Sequence, residues 1–272
     1  MPRVRRLTTF PVKSLDGTDR DRAELLPNGG LATDREFALF DADGDYVNGK
    51  RERAIHRVRS RFDPDTGTLS VDAPEMESAT FELADGDRQR ASAWFGEYLG
   101  YPVELRRDRA GGFPDDTTLS GPTVLSTATI REVASWFDDV DTEGMRRRLR
   151  ANVELGAAES AGEDPLPPFW EDRLYAGEGE SVAFTIGGVE FRGVNPCQRC
   201  VVPTRDPDTG AETPGFRERF VERREATLPE WADRDRFDHF FRLMVNTVVP
   251  ESSVGAAIAV GDRVAVDGVE PL

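Results

Sequence analysis

Residues 195–210, NPCQRCVVPTRDPDTG, hold both cysteines of the chain, Cys197 and Cys200, and end in a strong turn signal, Asp206-Pro207-Asp208-Thr209-Gly210. Two cysteines are too few for a disulfide framework, so the pair points to metal or redox chemistry or to plain packing. A structural zinc site needs four ligands, and the only other Cys or His residues are His56 and His239, distant and not in paired spacing. A thioredoxin-like dithiol sits where a strand enters a helix, and Val201-Val202-Pro203-Thr204 is a poor helix start. Two buried, inert cysteines are the third reading. The pair alone leaves all three open.

The rest of the chain bounds the setting. Its 272 residues are enough for one large domain or two small ones, and 38% hydrophobic with 9% aromatic residues indicates a folded protein. No apolar run approaches the length of about 18 residues that a membrane helix needs. The N-terminus, MPRVRRLTTFPVKSL, lacks a secretory core, so a cytoplasmic location is expected. Asp and Glu total 51 against 35 Lys and Arg, a net charge of −16, and the only lysines are Lys13 and Lys50. Such a surface repels nucleic acid and anionic membranes, so neither is expected as a partner, and a monomer is expected. An acidic, halophile-like surface suited to a salty cytoplasm is the accompanying hypothesis, since salt screens the repulsion among carboxylates.

Hydrophobic alternation and turn residues predict many short strands. Val4–Val12 is one. Glu36–Phe40 and Tyr46–Val47 flank the Asp41-Ala42-Asp43-Gly44 hairpin signal, and the Asp63–Gly67 turn leads into Thr68–Val71. Helical spacing over Arg90–Leu99 stops at Gly100, and Val103–Leu105 follows as a strand. Asp108–Gly121, rich in Gly, Pro and Asp, reads as a linker or loop and gives the boundary between domains at residues 1–107 and 122–272. Beyond it come a strand at Thr123–Leu125, a helix over Ala128–Phe137 capped by Ser126 or by a Thr129–Glu132 capping box, and strands at Val153–Leu155, Val182–Ile186 and Val189–Phe191, the last two joined by Gly187-Gly188. Helices over Phe216–Arg224 and Pro229–Leu243, then strands at Met244–Val249 and Arg263–Val266, complete the reading. The fold class is α+β and predominantly β: an N-terminal barrel-like domain, then a second β-barrel domain with flanking helices.

The residues around the cysteines resemble the signature of the MOSC family, found in the C-terminal region of molybdenum-cofactor sulfurases and in amidoxime-reducing proteins: Cys-x-Arg-Cys, an apolar pair, Thr204, then Asp206, Pro207, Thr209 and Gly210. Further matches follow in order along nearly the whole chain. Phe10–Gly17 (FPVKSLDG) resembles the start of the family's N-terminal β domain, and Gly30–Phe37 (GLATDREF) its Asp-Arg segment. Arg150-Ala151-Asn152 resembles Arg-Pro-Asn with Ala for Pro, and Val260-Gly261-Asp262 the closing Val-Gly-Asp.

The resemblance implies a pyranopterin molybdenum cofactor. Its phosphate would be held by Lys13, Ser14, Arg35, Arg150 and Asn152, with Ser126 and Thr127 at the pterin and Pro196, Arg199 and Thr204 from the cysteine segment beside them. Cys200 would be the metal ligand, a soft thiolate for molybdenum, with Cys197 structural and Asp206 a candidate for proton delivery. The plain alternatives are an exposed loop for Lys13, salt bridges for Arg35 and Arg150, a helix cap for Ser126 and an ordinary turn for Asp206. The implied activity is reduction of N-hydroxylated or related N-oxygenated small molecules. Electrons come from an external donor such as a ferredoxin, because a chain with two cysteines cannot hold an iron–sulfur cluster. The other implied reading is a non-catalytic cofactor carrier or a sulfur-relay protein using Cys200. Pyridoxal phosphate, the cofactor of fused sulfurase domains, needs a Schiff-base lysine, and neither Lys13 nor Lys50 sits in a recognisable site for it.

Overall fold

The computed structural model describes residues 1–83, 86–157, 165–232 and 234–272. In chain order these residues form β1 (Arg3–Thr9), β2 (Thr18–Asp19), β3 (Arg22–Glu24), β4 (Phe37–Phe40), β5 (Arg59–Asp63), β6 (Thr68–Asp72), β7 (Ala79–Glu82), α1 (Arg88–Leu99), β8 (Glu104–Arg107), β9 (Val124–Ser126), α2 (Thr127–Ser135), α3 (Thr142–Leu149), β10 (Val153–Gly156), β11 (Glu180–Ile186), β12 (Val189–Gln198), α4 (Phe216–Thr227), β13 (Arg242–Val248), β14 (Ala257–Ala259) and β15 (Val264–Pro271). Strand predominates, in keeping with the α+β, mainly β expectation.

The N-terminal half is built from local turns. Asp41 accepts hydrogen bonds from the amides of Asp43 and Asp45, and Phe40 bridges Tyr46, closing the expected hairpin. Asp63 likewise receives the amides of Asp65 and Thr66, and Gly67 turns at φ 68° into β6, giving the sheet β5-β6-β7. Helix α1 ends at Gly100, φ 80°, as its left-handed cap requires, and buries Ala91 and Phe95 against Phe37, Leu39, Phe62, Leu69, Phe81 and Leu105.

The C-terminal half centres on an eight-stranded sheet in the order β15-β11-β12-β13-β9-β10-β1-β2. The Gly187-Gly188 turn joins β11 to β12. Arg3 bridges Arg263 just before β15, so the sheet returns on itself around Val4, Leu7, Val124, Val153, Leu155, Phe184, Phe191 and Val245. At Gly193 a Cβ would lie 1.7 Å from the Leu174 carbonyl oxygen, so no other residue fits there. Helices α2, α3 and α4 cover one side through Trp136, Phe137, Met145, Phe216, Phe220 and Phe241, with the Phe137 and Phe216 rings stacked at 4.2 Å.

The two halves share strands. β1 pairs with β10 and β3 with β14, although both lie in the first 25 residues. Only three residues after β1, Val12 bridges Phe37 of β4 in the other sheet. The chain therefore crosses between the sheets at Phe10–Ser14 and sets those residues at the junction.

Two expectations need correction. The helix expected over Pro229–Leu243 is absent: beyond a short 3-10 turn at Arg234–Arg236, strand β13 begins at Arg242. Buried Phe237 and Phe241 are spaced as on a helix, but the described residues before Arg242 form turns and the short 3-10 piece, and from Arg242 pairing with Gln198, then of Val245 with Pro196, holds the chain extended in the sheet. Asp233, inside that stretch, lies outside the described residues. The capping box at Thr129 is also not formed. Ser126 is the cap of α2, accepting from the Thr129 amide at 3.1 Å, and Thr129 is buried one turn in. Helix α3 had no clear signal beforehand, because its Arg146-Arg147-Arg148 run hides the apolar face of Met145 and Leu149.

Candidate functional site

A cavity of about 540 Å³ opens where the halves meet, within the size range of cofactor sites. The β1–β4 crossing supplies Lys13 and Ser14, the turn before β4 supplies Arg35, and the end of α3 supplies Arg150. Asn152 comes from the approach to β10, and Cys197, Arg199 and Cys200 come from the end of β12. Ser14, Arg35 and Arg150 have φ values of 72°, 51° and 56°, and Met244, also at the cavity wall, has 59°. Non-glycine residues seldom occupy the left-handed region, and where they do the surroundings hold them there, commonly at ligand sites. Arginines and lysines outnumber carboxylates along the wall, in a protein whose net charge is −16.

These cations are not equally committed. Lys13 donates to the Phe113 carbonyl at 2.8 Å and to Asp115 at 3.0 Å, and burial holds its pKa below the ordinary lysine value. Arg35 is ion-paired with its neighbour Asp34, whose other oxygen accepts the Phe10 amide at 2.7 Å. Arg59 and Arg147 both donate to Asp208 and to the Pro207 carbonyl, so the Asp-Pro-Asp turn is clamped between the halves. Arg205 donates to the carbonyls of Gly49 and Lys50, and His56 Nε2 donates to the same Gly49 carbonyl at 3.1 Å. Burial keeps the His56 pKa below its usual value.

Arg150 differs from all of these. Its guanidinium lies over the Phe10 ring at 4.0 Å, with Arg35 on the same ring at 5.5 Å, and among the described residues no carboxylate is within ion-pair reach of it. Desolvation first, and repulsion from Arg35 second, lower its pKa to about 10. An arginine so destabilised as a cation is a ready partner for an anion.

The two cysteines are both free and half-buried, and both line the cavity. Cys197 is tied to its surroundings: its thiol faces the Gln198 carbonyl, Arg199 Nη1 lies 3.4 Å from its sulfur, and it packs against the helical cluster. The Cys200 thiol makes no hydrogen bond to the described residues. Among the described residues no three Cys, His, Asp or Glu side chains converge, so a metal at Cys200 must bring most of its ligands with it.

The remaining expected site residues sit off the cavity wall. Ser126 is fully buried as the α2 cap, and Thr127 donates to Glu154 at 2.7 Å. Pro196 lies in β12 opposite Val245, and Thr204 donates to the Val201 carbonyl at 2.8 Å. Asp206 accepts from Thr209 and the amides of its own turn and lies 3.6 Å from Arg148. Its pKa is low because these contacts outweigh its desolvation. Arg199 does line the wall, with one guanidinium nitrogen on the Leu149 carbonyl at 2.8 Å. Asp115, Arg59, Arg147 and Arg205 were not anticipated. Arg147 and Asp115 belong to an arginine run and an acidic loop that look like ordinary solvated segments in sequence, while Arg205 falls inside the cysteine motif.

Two family models match the chain. The MOSC N-terminal beta barrel domain covers residues 1–104 and the MOSC domain residues 124–265. The chain belongs to the MOSC family. Among curated relatives of this MOSC protein, molybdenum cofactor sulfurase of Caenorhabditis briggsae is 25% identical over 79% of the chain and 31% of its own length. The Danio rerio sulfurase is 26% identical over 76% of the chain and 28% of its length. Human mitochondrial amidoxime-reducing component 1 is 25% identical over 76% of the chain and 67% of its length. The chain thus spans about a third of the sulfurases and two thirds of the reductase component. No helix among the described residues is long and apolar enough to cross a membrane.

Proposed function

We propose that this MOSC protein binds the molybdenum cofactor in the cavity at the junction and uses it as a reductase of N-hydroxylated or related N-oxygenated small molecules. The observation that carries the reading is Arg150, a cation with no ion-pair partner among the described residues, set in a basic cavity that also presents Cys200. The residues fit the group. Arg150 and Arg35, with Lys13 beside Arg35, match a terminal phosphate, Ser14 adds a hydroxyl donor, and Cys200 offers a soft sulfur ligand with no competing hydrogen bond, while the Asn152 amide is held by the Thr8 carbonyl and by Thr123 and braces the wall. When bound, the cofactor supplies two-electron redox chemistry at its metal.

The protein's own contributions are binding and orientation. The paired arginines on Phe10 fix the anionic end, and Cys200, two residues past the end of β12, gives up its thiol proton as it ligates. The net reaction takes an N–OH compound, two electrons and two protons to the N–H compound and water. The electrons come from an external donor, such as a ferredoxin, in a cytoplasmic setting. Ser126, Thr127, Pro196, Thr204 and Asp206 act through the frame that holds these groups rather than by touching the cofactor.

The test is molybdenum and pterin content of protein purified from a host that makes the cofactor, with reduction of a simple hydroxylamine by an artificial electron donor. About one molybdenum per chain and turnover are expected. Protein without molybdenum or pterin overturns the reading, and cofactor without turnover identifies a carrier instead.

A further inference from the structure

Lys13 and Lys50, the only lysines in the chain, share one partner. Lys13 Nζ lies 3.0 Å and Lys50 Nζ 3.2 Å from the same carboxylate oxygen of Asp115. Lys13 is nearly enclosed, its side chain 5% exposed, whereas Asp115 is 52% exposed and reaches in from the cavity mouth. Asp115 belongs to the segment between the halves. That segment is anchored just before it, where the Phe113 amide donates to the Arg35 carbonyl at 2.8 Å and the Phe113 ring packs on Phe40 and Tyr46. After the anchor, Pro114, Asp115, Asp116, Leu119 and Ser120 face the cavity. Two cations served by one carboxylate leave positive charge unmatched. A phosphate has more acceptor oxygens and more charge than Asp115 offers, and lysine donors are not directional enough to prefer the carboxylate.

We propose that Asp115 is a built-in counter-anion at the Lys13–Lys50 pair, and that the phosphate of a ligand enters the cavity by displacing it, the segment from Pro114 to Leu119 bowing out between its anchors at Phe113 and at Ser120, whose hydroxyl donates to the Asn28 carbonyl. This rests on the reading of the cavity as the site of an anionic cofactor. Asp115 lowers anion affinity by holding the two lysines in a competing pair, so only the fraction of molecules with the carboxylate displaced is competent to bind. The contact also protects the cavity from adventitious anions, because an anion with a single weak charge gains too little to open it. Attraction to Lys13, Arg35 and Lys50 keeps the Asp115 pKa well below the usual carboxylate value despite its desolvation, so the counter-ion is charged at any physiological pH.

The experiment uses the full chain without cofactor and inorganic phosphate as the probe. Equilibrium dialysis compares the native protein with Asp115→Asn and with Asp116→Asn, which removes the same charge next door but contacts neither lysine. Asp115→Asn is expected to bind phosphate about tenfold tighter, about 1.4 kcal/mol, with Asp116→Asn unchanged. Hydrogen exchange of the native protein is expected to quicken across residues 114–120 when phosphate is added. The proposal is overturned if Asp115→Asn binds no tighter, if Asp116→Asn gains as much, or if exchange across 114–120 is unaltered by bound phosphate. Arg150→Gln in the Asp115→Asn background separates the two levels. If it weakens phosphate binding while Asp115→Asn brought no gain, the cavity stands as an anion site and the counter-ion idea fails. If no variant binds phosphate, the cavity reading and the counter-ion idea fail together; if Asp115→Asn binds tighter while Arg150→Gln changes nothing, the counter-ion stands and the reading that rests on Arg150 fails.

Discussion

Arg150→Gln is expected to make the cofactor-free protein more stable and the cofactor weaker. Lowering the Arg150 pKa to about 10 corresponds to about 3 kcal/mol of net destabilisation of its charge, burial and repulsion from Arg35 outweighing attraction to Asp16, Asp34 and Asp115. The sign follows from charge state. Below pH 10 the guanidinium is charged in both folded and unfolded chains, so the penalty is constant through neutral pH and vanishes only as pH rises past its folded value. Glutamine removes the charge and keeps an unbranched side chain at φ 56°, so backbone strain is unchanged. It also loses the contact with the Phe10 ring, about 0.5–2 kcal/mol. The net gain is about 1–2 kcal/mol, a rise in Tm of about 2–4 °C per kcal/mol for a chain of this size. Against that, loss of charged hydrogen bonds to a phosphate of about 1.5–3 kcal/mol weakens binding roughly 10- to 150-fold. Scanning calorimetry of metal-free protein, with molybdenum content after expression in a competent host, reads both effects. A variant that melts lower than the parent yet retains the cofactor fully would show that Arg150 is a structural arginine and refute the argument.

Three further expectations follow from the same structure. Glu171 is almost fully buried, with one oxygen unpartnered, and burial together with Asp172 raises its pKa from 4.5 to about 7. The folded state therefore binds the proton more tightly. The stability it lends is complete below pH 4.5 and falls by about 3 kcal/mol as pH rises to 7, so urea midpoints should drop across that range and Glu171→Gln should flatten the slope. Cys200→Ser is expected to abolish molybdenum retention while Cys197→Ser keeps most of it, since Cys197 is engaged by Arg199 and the helical core; equal loss in both, by elemental analysis, would remove the distinction. If the net charge of −16 reflects adaptation to salt, the urea midpoint should climb as potassium chloride goes from about 0.1 M to about 2 M, because the Debye length falls below about 3 Å and carboxylate repulsion is screened. A protein most stable at low salt contradicts that hypothesis.

The sequence by itself determined what local chemistry controls. Asp41–Gly44, Asp63–Gly67 and Gly187-Gly188 are legible as turns because their side chains or their lack of Cβ satisfy particular backbone angles wherever they occur, and alternation marks the strands between them. The 195–210 motif and its distant companions Lys13, Arg35 and Arg150 pointed to one family and one cofactor class. Tertiary structure alone decided the rest. The segment from Phe237 to Leu243 has a helical spacing of aromatics, but from Arg242 it pairs with Gln198 at the end of β12, 44 residues back in sequence, and that pairing outweighs local propensity there. Ser126 and Asp206 carry the right chemistry for ligand contact, yet the start of α2 and the Asp-Pro turn consume their hydrogen-bonding capacity. The state of each cation is likewise non-local. Lys13 is matched by Asp115 about a hundred residues on, Arg147 by Asp208 sixty-one residues on, and Arg150 by no carboxylate within reach among the described residues. A charge's value depends on burial and on what stands within a few ångströms of it, and those are set only when β1 crosses from one sheet to the other and brings the two halves of the cavity face to face.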